Sequence, residues 1–497
     1  MTAYVCAIDQ GTTGTRALVV DHDGRILATA YRTHEQRYPQ AGWVEHDPTE
    51  IWAAVTAVIA EVLDRARIEG SDLAAIGITN QRETTVLWDA ATGEPLEHAI
   101  VWQDRRTSDR IDELADRAAA IRARTGLEPD AYFSASKLEW LLDAGGPTRR
   151  RRAERGELKA GTIDTWLLDR LTGVHATDVT NASRTMLFDI EACRWDDELL
   201  AEFDVPRAIL PDVHPSMAPR AYGRTDPDGP LGAAVPVTGV LGDQQAALVG
   251  QTCFCPGEAK NTYGTGSFVL MHTGTEAVPS DHGLLTTIAY QRAGESPRYA
   301  LEGSIFVTGA AVEWLVDVGL LDDPAESEAV AGTVEATDGV VFVPAFTGLG
   351  APHWDQRARG TIVGMTRGTR RGHIVRAALE SIAFQTRDVI AAMSADADVD
   401  VRRLSVDGGA VRNDLLCQLQ ADVLGVPIDR PVVEETTGVG AAYAAGLAVG
   451  FWSDVDELAA HVAVDRSFAP AADADRIEHK YGRWRAAVDR AGDWATE

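Results

Sequence analysis

Lysine is nearly missing from this chain of 497 residues. Lys137, Lys159, Lys260 and Lys480 are the whole complement, although Lys and Arg together number 46. Against them stand 75 Asp and Glu, for a formal net charge of −29. Binding to nucleic acid through its phosphates needs a basic footprint, and this balance argues against it. The acids are scattered along the whole length instead of forming a tail, so acidity reads as a surface property. Two causes stay open. High salt screens the self-repulsion of such a surface, and a GC-rich genome exchanges Lys for Arg. Codon bias alone leaves the acidity unexplained, so adaptation to salt is the expectation.

Cysteine is scarce too. The five residues Cys6, Cys193, Cys253, Cys255 and Cys417 are odd in number and irregularly spaced, which excludes a disulfide framework. Cys253-Phe-Cys255 lacks the partnering Cys or His pair that zinc requires. No apolar run approaches the roughly eighteen residues of a membrane span. The nearest is Val439 to Trp452, rich in Gly and Ala, which reads as a buried helix. The chain opens directly on a strand-like run, Tyr4 to Ile8, without a basic-then-apolar leader. The expectation is a soluble, cytoplasmic protein with no membrane insertion. The Walker A loop and the protein-kinase signatures are absent as well, so any ATP must be held by other means.

What is present is organised in halves. The length favours two large domains, and 45% apolar residues indicate a folded globular chain. Tyr4–Asp9, Arg16–Asp21 and a strand from Ile26 read as a β-meander, with a Gly/Thr turn and then His22-Asp23-Gly24 as punctuation. Asp47-Pro48-Thr49-Glu50 signals a helix start, with an acid at the cap, Pro at the first position and Glu three residues after the cap. Ile51, Trp52, Val55, Val58, Ile59, Val62 and Leu63 then keep the helical period. A strand follows at Ala74–Ile78, giving an α/β architecture. The run Ala259 to Gly274 repeats the opening plan of polar Gly/Thr turn, apolar strand and Gly turn. A duplicated fold is therefore expected, with domains over 1–250 and 251–497. The basic run Arg149–Arg152 reads as a solvated surface segment.

Each hairpin turn has a bland meaning by itself, but together they suggest a nucleotide cleft. Successive backbone N–H groups in a Gly-rich turn can converge on an anion, and Thr12, Thr13 and Thr265 add hydroxyls. Asp9, beside the first turn, suits Mg2+ held directly or through water. Phosphoryl transfer needs positioning, charge stabilisation and an acceptor for the attacking hydroxyl's proton. Asp243, after an apolar strand and a glycine in Val240-Leu-Gly-Asp-Gln-Gln-Ala246, fits that last role, although such an acid is more often a simple helix cap. The run Gly77 to Glu83 ends a strand in polar residues, and Arg82-Glu83 sets a donor fork beside an acceptor, a pairing that suits adjacent hydroxyls of a polyol or a salt-bridged surface loop. Trp102, with Tyr132 and Phe268, offers an aromatic wall; each is also an ordinary core residue.

These runs carry a resemblance. Asp9-Gln-Gly-Thr-Thr13, Gly42-Trp-Val-Glu-His-Asp-Pro48, Thr79-Asn-Gln-Arg-Glu-Thr84, Thr180-Asn-Ala-Ser-Arg-Thr-Met186, Gly242-Asp-Gln-Gln-Ala246, Asn261-Thr-Tyr-Gly-Thr-Gly266, Pro344-Ala-Phe-Thr-Gly-Leu-Gly-Ala-Pro352 and Asp407-Gly-Gly-Ala-Val411 resemble the FGGY carbohydrate kinases, and among them the glycerol kinases. The match runs in order from about residue 4 to the region of Trp484. It implies an actin-like ATPase fold: two RNase H-like domains, each a mixed β-sheet flanked by helices, around a central cleft. It implies ATP and Mg2+, and glycerol held by Arg82, Glu83, Trp102, Tyr132, Asp243, Gln244 and Phe268, with Asp243 as the base. Thr12, Thr13, Gly14 and Arg16 match the first phosphate hairpin and Thr265 the second, while Gly309, Gly409 and Asn413 match the adenosine end.

Departures accompany the match. Gly14 stands where Ser is common, which removes one hydroxyl donor. Glu313 stands where Gln is usual near the nucleotide. The loop Asp226 to Ala234 lacks the arginine that binds fructose 1,6-bisphosphate in some relatives, so no inhibition through that loop is expected. Pro470–Tyr481 does not reproduce those relatives' phosphotransferase-protein docking segment. A kinase for another small polyol or ketose, and an actin- or chaperone-like ATP-binding protein, remain as alternatives; the oligomeric state is open.

Overall fold

The turn after the first strand decides where the chemistry can sit. In the computed structural model, which describes residues 4–495, strand Tyr4–Gln10 pairs antiparallel with Gly14–Asp21, and that strand with Ile26–Thr33. On its other side Tyr4–Gln10 runs parallel to Leu73–Asn80, which runs parallel to Val237–Gly242. The second half repeats this plan. Ala259–Tyr263 pairs antiparallel with Ser267–Gly274, and that strand with Arg298–Ile305. On the other side come Leu404–Asp407 and Ile428–Pro431, both parallel. Leu285–Tyr290 and Val464–Phe468 add the two outer strands of the second sheet. A meander followed by parallel strands thus occurs twice, as the repeated Gly/Thr hairpin leads one to expect.

Parallel pairing brings distant residues to one edge. Gln10 and Gly242 are both register partners of Asn80. Gly11, Gln81 and Asp243 therefore leave the carboxyl ends of three adjacent strands together, the edge where open α/β sheets bind ligands. In the second sheet Thr262 is the partner of Asp407, so the turn at Gly264 and the turn at Gly408 likewise emerge close together.

The helix Pro48–Ala66 begins as its sequence indicates, with Asp47 accepting from the Thr49 N–H at 2.8 Å. Glu50 does not close a capping box; it accepts instead from the Glu35 N–H at 3.0 Å, tying the incoming loop to the helix. Ile51, Val55, Val58, Ile59 and Val62 form its buried stripe, packed with Ile8, Ala17 and Val19 of the first sheet.

The Gly/Ala-rich run is a buried helix, Thr436–Val449. In sequence it lies between the last two strands of the second sheet, Ile428–Pro431 and Val464–Phe468, but it covers the other face of the first, sharing a core with Val5, Ala7, Leu18 and Val20. Small residues make that crossing close: a Cβ on Gly440 would lie 1.8 Å from the Ala246 carbonyl oxygen, and one on Gly77 2.0 Å from that of Ala441. The division near residue 250 describes the order of the sheets, and this helix crosses it.

Arg149–Arg152 lie on the helix Gly146–Glu154, where Arg149 pairs with Glu97, Arg150 with Asp143, and Arg152 with Asp89. Among the described residues no helix is long and apolar enough to cross a membrane.

Candidate active site

Asp243 is the first residue of the helix Asp243–Gly250, and Gly242 is its cap. The acid is therefore not used as a cap. Its Oδ1 accepts from the Gln244 N–H at 2.7 Å and lies 3.1 Å from Arg82 Nε. Gly242 is small because the Arg82 side chain passes over it: a Cβ there would be 2.7 Å from Arg82 Cδ.

Arg82 stands at the centre of a buried ionic cluster. Its Nη1 and Nη2 grip Glu302 at 2.5 and 3.0 Å in a bidentate pair. Arg184 donates to Glu83 at 2.7 Å and to Glu302 at 3.0 Å. Side-chain exposure is 2% for Arg82, 1% for Glu83 and 0% for Glu302 and Arg184, but 28% for Asp243. Asp243 is thus the carboxylate of this cluster that solvent, or a substrate, can reach. Burial pushes its pKa upward, opposed by Arg82 and Lys260 and reinforced by Glu302. A carboxylate made more basic in this way is suited to take a proton. Glu302 is held the other way, at about 2: burial would raise it, but Arg184 and Arg82 prevail. Glu83 has φ of 62°, a left-handed conformation that costs a non-glycine residue energy and is concentrated at functional sites.

Beside this cluster the three aromatics meet. The Trp102 ring stands edge-on to Tyr132 at 5.6 Å and to Phe268 at 6.4 Å between centroids. Its Nε1 donates to Thr12 Oγ1 at 2.9 Å, fastening the wall to the first hairpin. Lys137, fully buried, donates to the backbone carbonyls of Ala131, Tyr132 and Phe133 and holds that side of the wall. Lys260, also buried, donates to Gln244 Oε1, to Thr262 Oγ1 at 3.0 Å and to the Phe268 carbonyl at 3.2 Å. Burial lowers its pKa to about 8. With Lys159 paired to Asp169 and Lys480 to Glu380, all four lysines have defined partners.

The run Thr180–Met186 is the scaffold under these groups. Thr180 Oγ1 accepts from the Gly242 N–H at 2.9 Å, one residue before the acid, and donates to Asp178. Asn181 Oδ1 accepts from Asn80 at 3.0 Å, and Ser183 bonds Thr287 of the second half at 3.0 Å.

The two hairpins are organised differently. In the first, carbonyls are turned toward side-chain amides: Gln36 Nε2 donates to the Thr12 carbonyl at 2.7 Å, and Gln10 Nε2 to that of Gly11 at 2.8 Å. That arrangement leaves backbone N–H groups for an anion. Thr13 is exposed, and Arg16 is ion-paired with Glu435. Asp9, opposite Arg16 in the strand pair, has its pKa raised to about 7, first by burial and further by Asp243 and Glu435, against Arg16. In the second, the exposed Thr265 accepts through its carbonyl from Thr308 N–H at 2.9 Å. Gly309 N–H donates to the Gly264 carbonyl at 3.0 Å, so Gly309 borders this hairpin directly. Glu313 is exposed one turn further along the helix Gly309–Asp317. Gly409 has open space about it. Asn413 Oδ1 caps the helix Asp414–Leu424 at Leu416 N–H, and its Nδ2 donates one hydrogen to Ser327. Among the described residues no group of three or more His, Cys, Asp or Glu is poised to hold a metal alone.

Sequence reasoning missed Glu302, Arg184's role and Lys260. Signals existed for two of them: a lone carboxylate inside the apolar strand run Tyr299-Ala-Leu-Glu302, and a lysine retained in a chain that has almost none.

Two mixed sheets, each opening on a Gly/Thr hairpin, with a reachable carboxylate at the edge of the first, have the two-domain form of the FGGY carbohydrate kinases. Residues 4–250 match the model of the N-terminal domain of the FGGY family of carbohydrate kinases and residues 259–449 that of its C-terminal domain, and the chain belongs to this family. Within it the chain is similar to proteins named glycerol kinase. It is 64% identical to that of Haloferax volcanii, covering 99% of both chains, and 61% identical to that of Halobacterium salinarum, covering 100% of this chain and 99% of the relative. The crystal structure of Plasmodium falciparum glycerol kinase with ADP superposes with a TM-score of 0.93 at 37% identity, over 98% of each chain.

Asp9 yields a prediction with a definite sign. An acid whose folded pKa is raised destabilises the fold above its unfolded pKa, fully so once pH exceeds about 7. Asp9→Asn is expected to raise the ligand-free melting temperature at pH 8, with the gain fading as pH approaches 4. Calorimetry across that range checks it; a gain that grows toward acid contradicts it.

Proposed function

We infer that this chain transfers the terminal phosphoryl group of ATP to a primary hydroxyl of glycerol, giving sn-glycerol 3-phosphate. Full-length likeness to glycerol kinases supports the substrate, and one observation carries the chemistry: Asp243 is a solvent-reachable, basicity-raised carboxylate fixed between the two hairpins.

With Oδ1 engaged by the Gln244 N–H and Arg82, Oδ2 of Asp243 is left to receive the proton of the attacking hydroxyl. Arg82 retains a second Nη2 hydrogen after its bond to Glu302, and Glu83 retains Oε2 after its bond to Arg184, which together make one donor and one acceptor for neighbouring hydroxyls. Gln244 completes the polar side. Trp102, Tyr132 and Phe268 take the carbon edge of the triol and exclude water. The N–H groups of the first hairpin with Thr12, Thr13 and Arg16, and Thr265 of the second, take the phosphates; Gly309, Gly409, Asn413 and Glu313 border the nucleoside end.

Mg2+ fits the site. Asp9 faces two further carboxylates, Asp243 and Glu435, and the resulting rise in its pKa is what a divalent cation would relieve. One carboxylate plus nucleotide phosphates is an ordinary magnesium environment, and the ion would neutralise phosphate charge there.

Asp243→Asn is expected to lower kcat by at least about a thousandfold while ATP and glycerol still bind, as read by a coupled assay and by calorimetry. Turnover within tenfold of the parent would remove Asp243 from the mechanism. In the same assay, glycerol is expected to exceed erythritol, dihydroxyacetone and xylulose; a preference for one of these would reassign the substrate.

The acidic surface is proposed as an adaptation to salt. Lysine survives only at positions with a defined buried or paired partner, as selection against lysine on the surface requires. Activity and melting temperature are expected to rise as KCl goes from millimolar to molar. A monotonic fall in both would contradict this.

A further inference from the structure

The first hairpin lacks a side chain at residue 14, and the space where one would stand is already taken. A Cβ built on Gly14 would lie 2.6 Å from the hydroxyl oxygen of Tyr31 and 2.5 Å from the Arg32 carbonyl. Tyr31 comes from the adjacent strand, Ile26–Thr33, where it is the register partner of Arg16. Its hydroxyl lies 3.4 Å from Thr13 Oγ1, and the Arg16 guanidinium sits over its ring at 5.2 Å from the centroid. Tyr31 is 42% exposed, a large aromatic left open beside this turn.

We propose that the Tyr31 hydroxyl is a phosphate-binding donor of the first hairpin, supplying from the neighbouring strand the hydroxyl that residue 14 does not carry. This rests on the reading that the turn Gly11–Gly14 holds the phosphates of ATP. A hydroxyl can donate one hydrogen bond, and Thr13 Oγ1 at 3.4 Å is a weak recipient, so the Tyr31 proton is free to turn toward an anion. A bond from a neutral donor to a phosphate oxygen is charge-assisted and stronger than the one it replaces. Arg16 stacked on the ring fixes the phenol's direction while adding positive potential at the same place. The exchange also explains why residue 14 is glycine: with Tyr31 in position, any larger residue collides with both the phenol and the backbone behind it.

Tyr31→Phe keeps the ring under Arg16 and removes only the hydroxyl. The expected result is a rise of about tenfold in KM for ATP, with KM for glycerol unchanged and kcat little affected. Inhibition by adenosine, which has no phosphate, is expected to stay at the parental value while that by ADP weakens. A parental KM for ATP overturns the proposal, and so does an equal loss for adenosine and ATP, which would mark a structural role. Gly11→Val separates the two layers of the argument. A Cβ at Gly11 meets only the Gly14 carbonyl, at 3.5 Å, an ordinary contact, and calorimetry checks that the variant folds. If it raises KM for ATP while Tyr31→Phe does not, the hairpin binds phosphate without Tyr31. If neither variant changes KM for ATP, the hairpin reading falls together with the proposal.

Discussion

The bidentate pair between Arg82 and Glu302 is the constraint on which the site depends. It joins residues separated by 220 positions, one from each half of the chain, and both are sealed from water. Two charges so placed pay heavily in lost hydration, and an apolar pair of equal volume would often stabilise a protein as well or better. Breaking the pair is another matter, since it strands an uncompensated buried charge at about 3–5 kcal/mol. The arrangement is therefore best understood as fixing geometry. Glu302 divides the charge of Arg82, and Arg184 divides that of Glu302 and Glu83, so that Arg82 steadies Asp243 while burial still prevails over its downward pull on the pKa.

Everything around that pair serves to aim one carboxylate. Parallel strands bring Gly11, Gln81 and Asp243 to a common edge. Thr180 holds the backbone just ahead of Asp243, and the glycine at 242 gives Arg82 its passage. The Gly/Ala helix Thr436–Val449 packs backbone to backbone on the helix that Asp243 begins, at Gly440 and Ala246. Motifs scattered over the chain as short polar runs thus form successive layers beneath the one carboxylate proposed as the base.

The local features were legible in advance because local chemistry produces them. Hairpin turns, the Asp47 cap, the apolar stripe after it and the repeat of the first meander at Ala259–Gly274 all follow from rules acting over a few residues. The candidate residues Arg82, Glu83, Trp102, Tyr132, Asp243 and Phe268 converge in space as the motifs imply. What escaped was long-range. Nothing near Glu302 in sequence states that its partners are Arg82 and Arg184. Nothing near Gly14 announces that Tyr31 fills its place, because strand register creates that contact. Nothing near Asn413 in sequence states that its amide would bond Ser327 as well as cap the helix that it precedes. The same economy governs the lysines, whose rarity was visible while their buried partners were not.

Burial raises the basicity of Asp243 and the shared charges of this cluster tune it, which the pH dependence of kcat/KM tests most directly. Glu302 raises the pKa of Asp243, so neutralising it as Glu302→Gln leaves Arg82 and Lys260 to act on Asp243 undivided. The acid limb of the profile is then expected to move to lower pH by up to about one unit, in protein shown by calorimetry to be folded. An acid limb that stays in place, or moves to higher pH, would contradict the account.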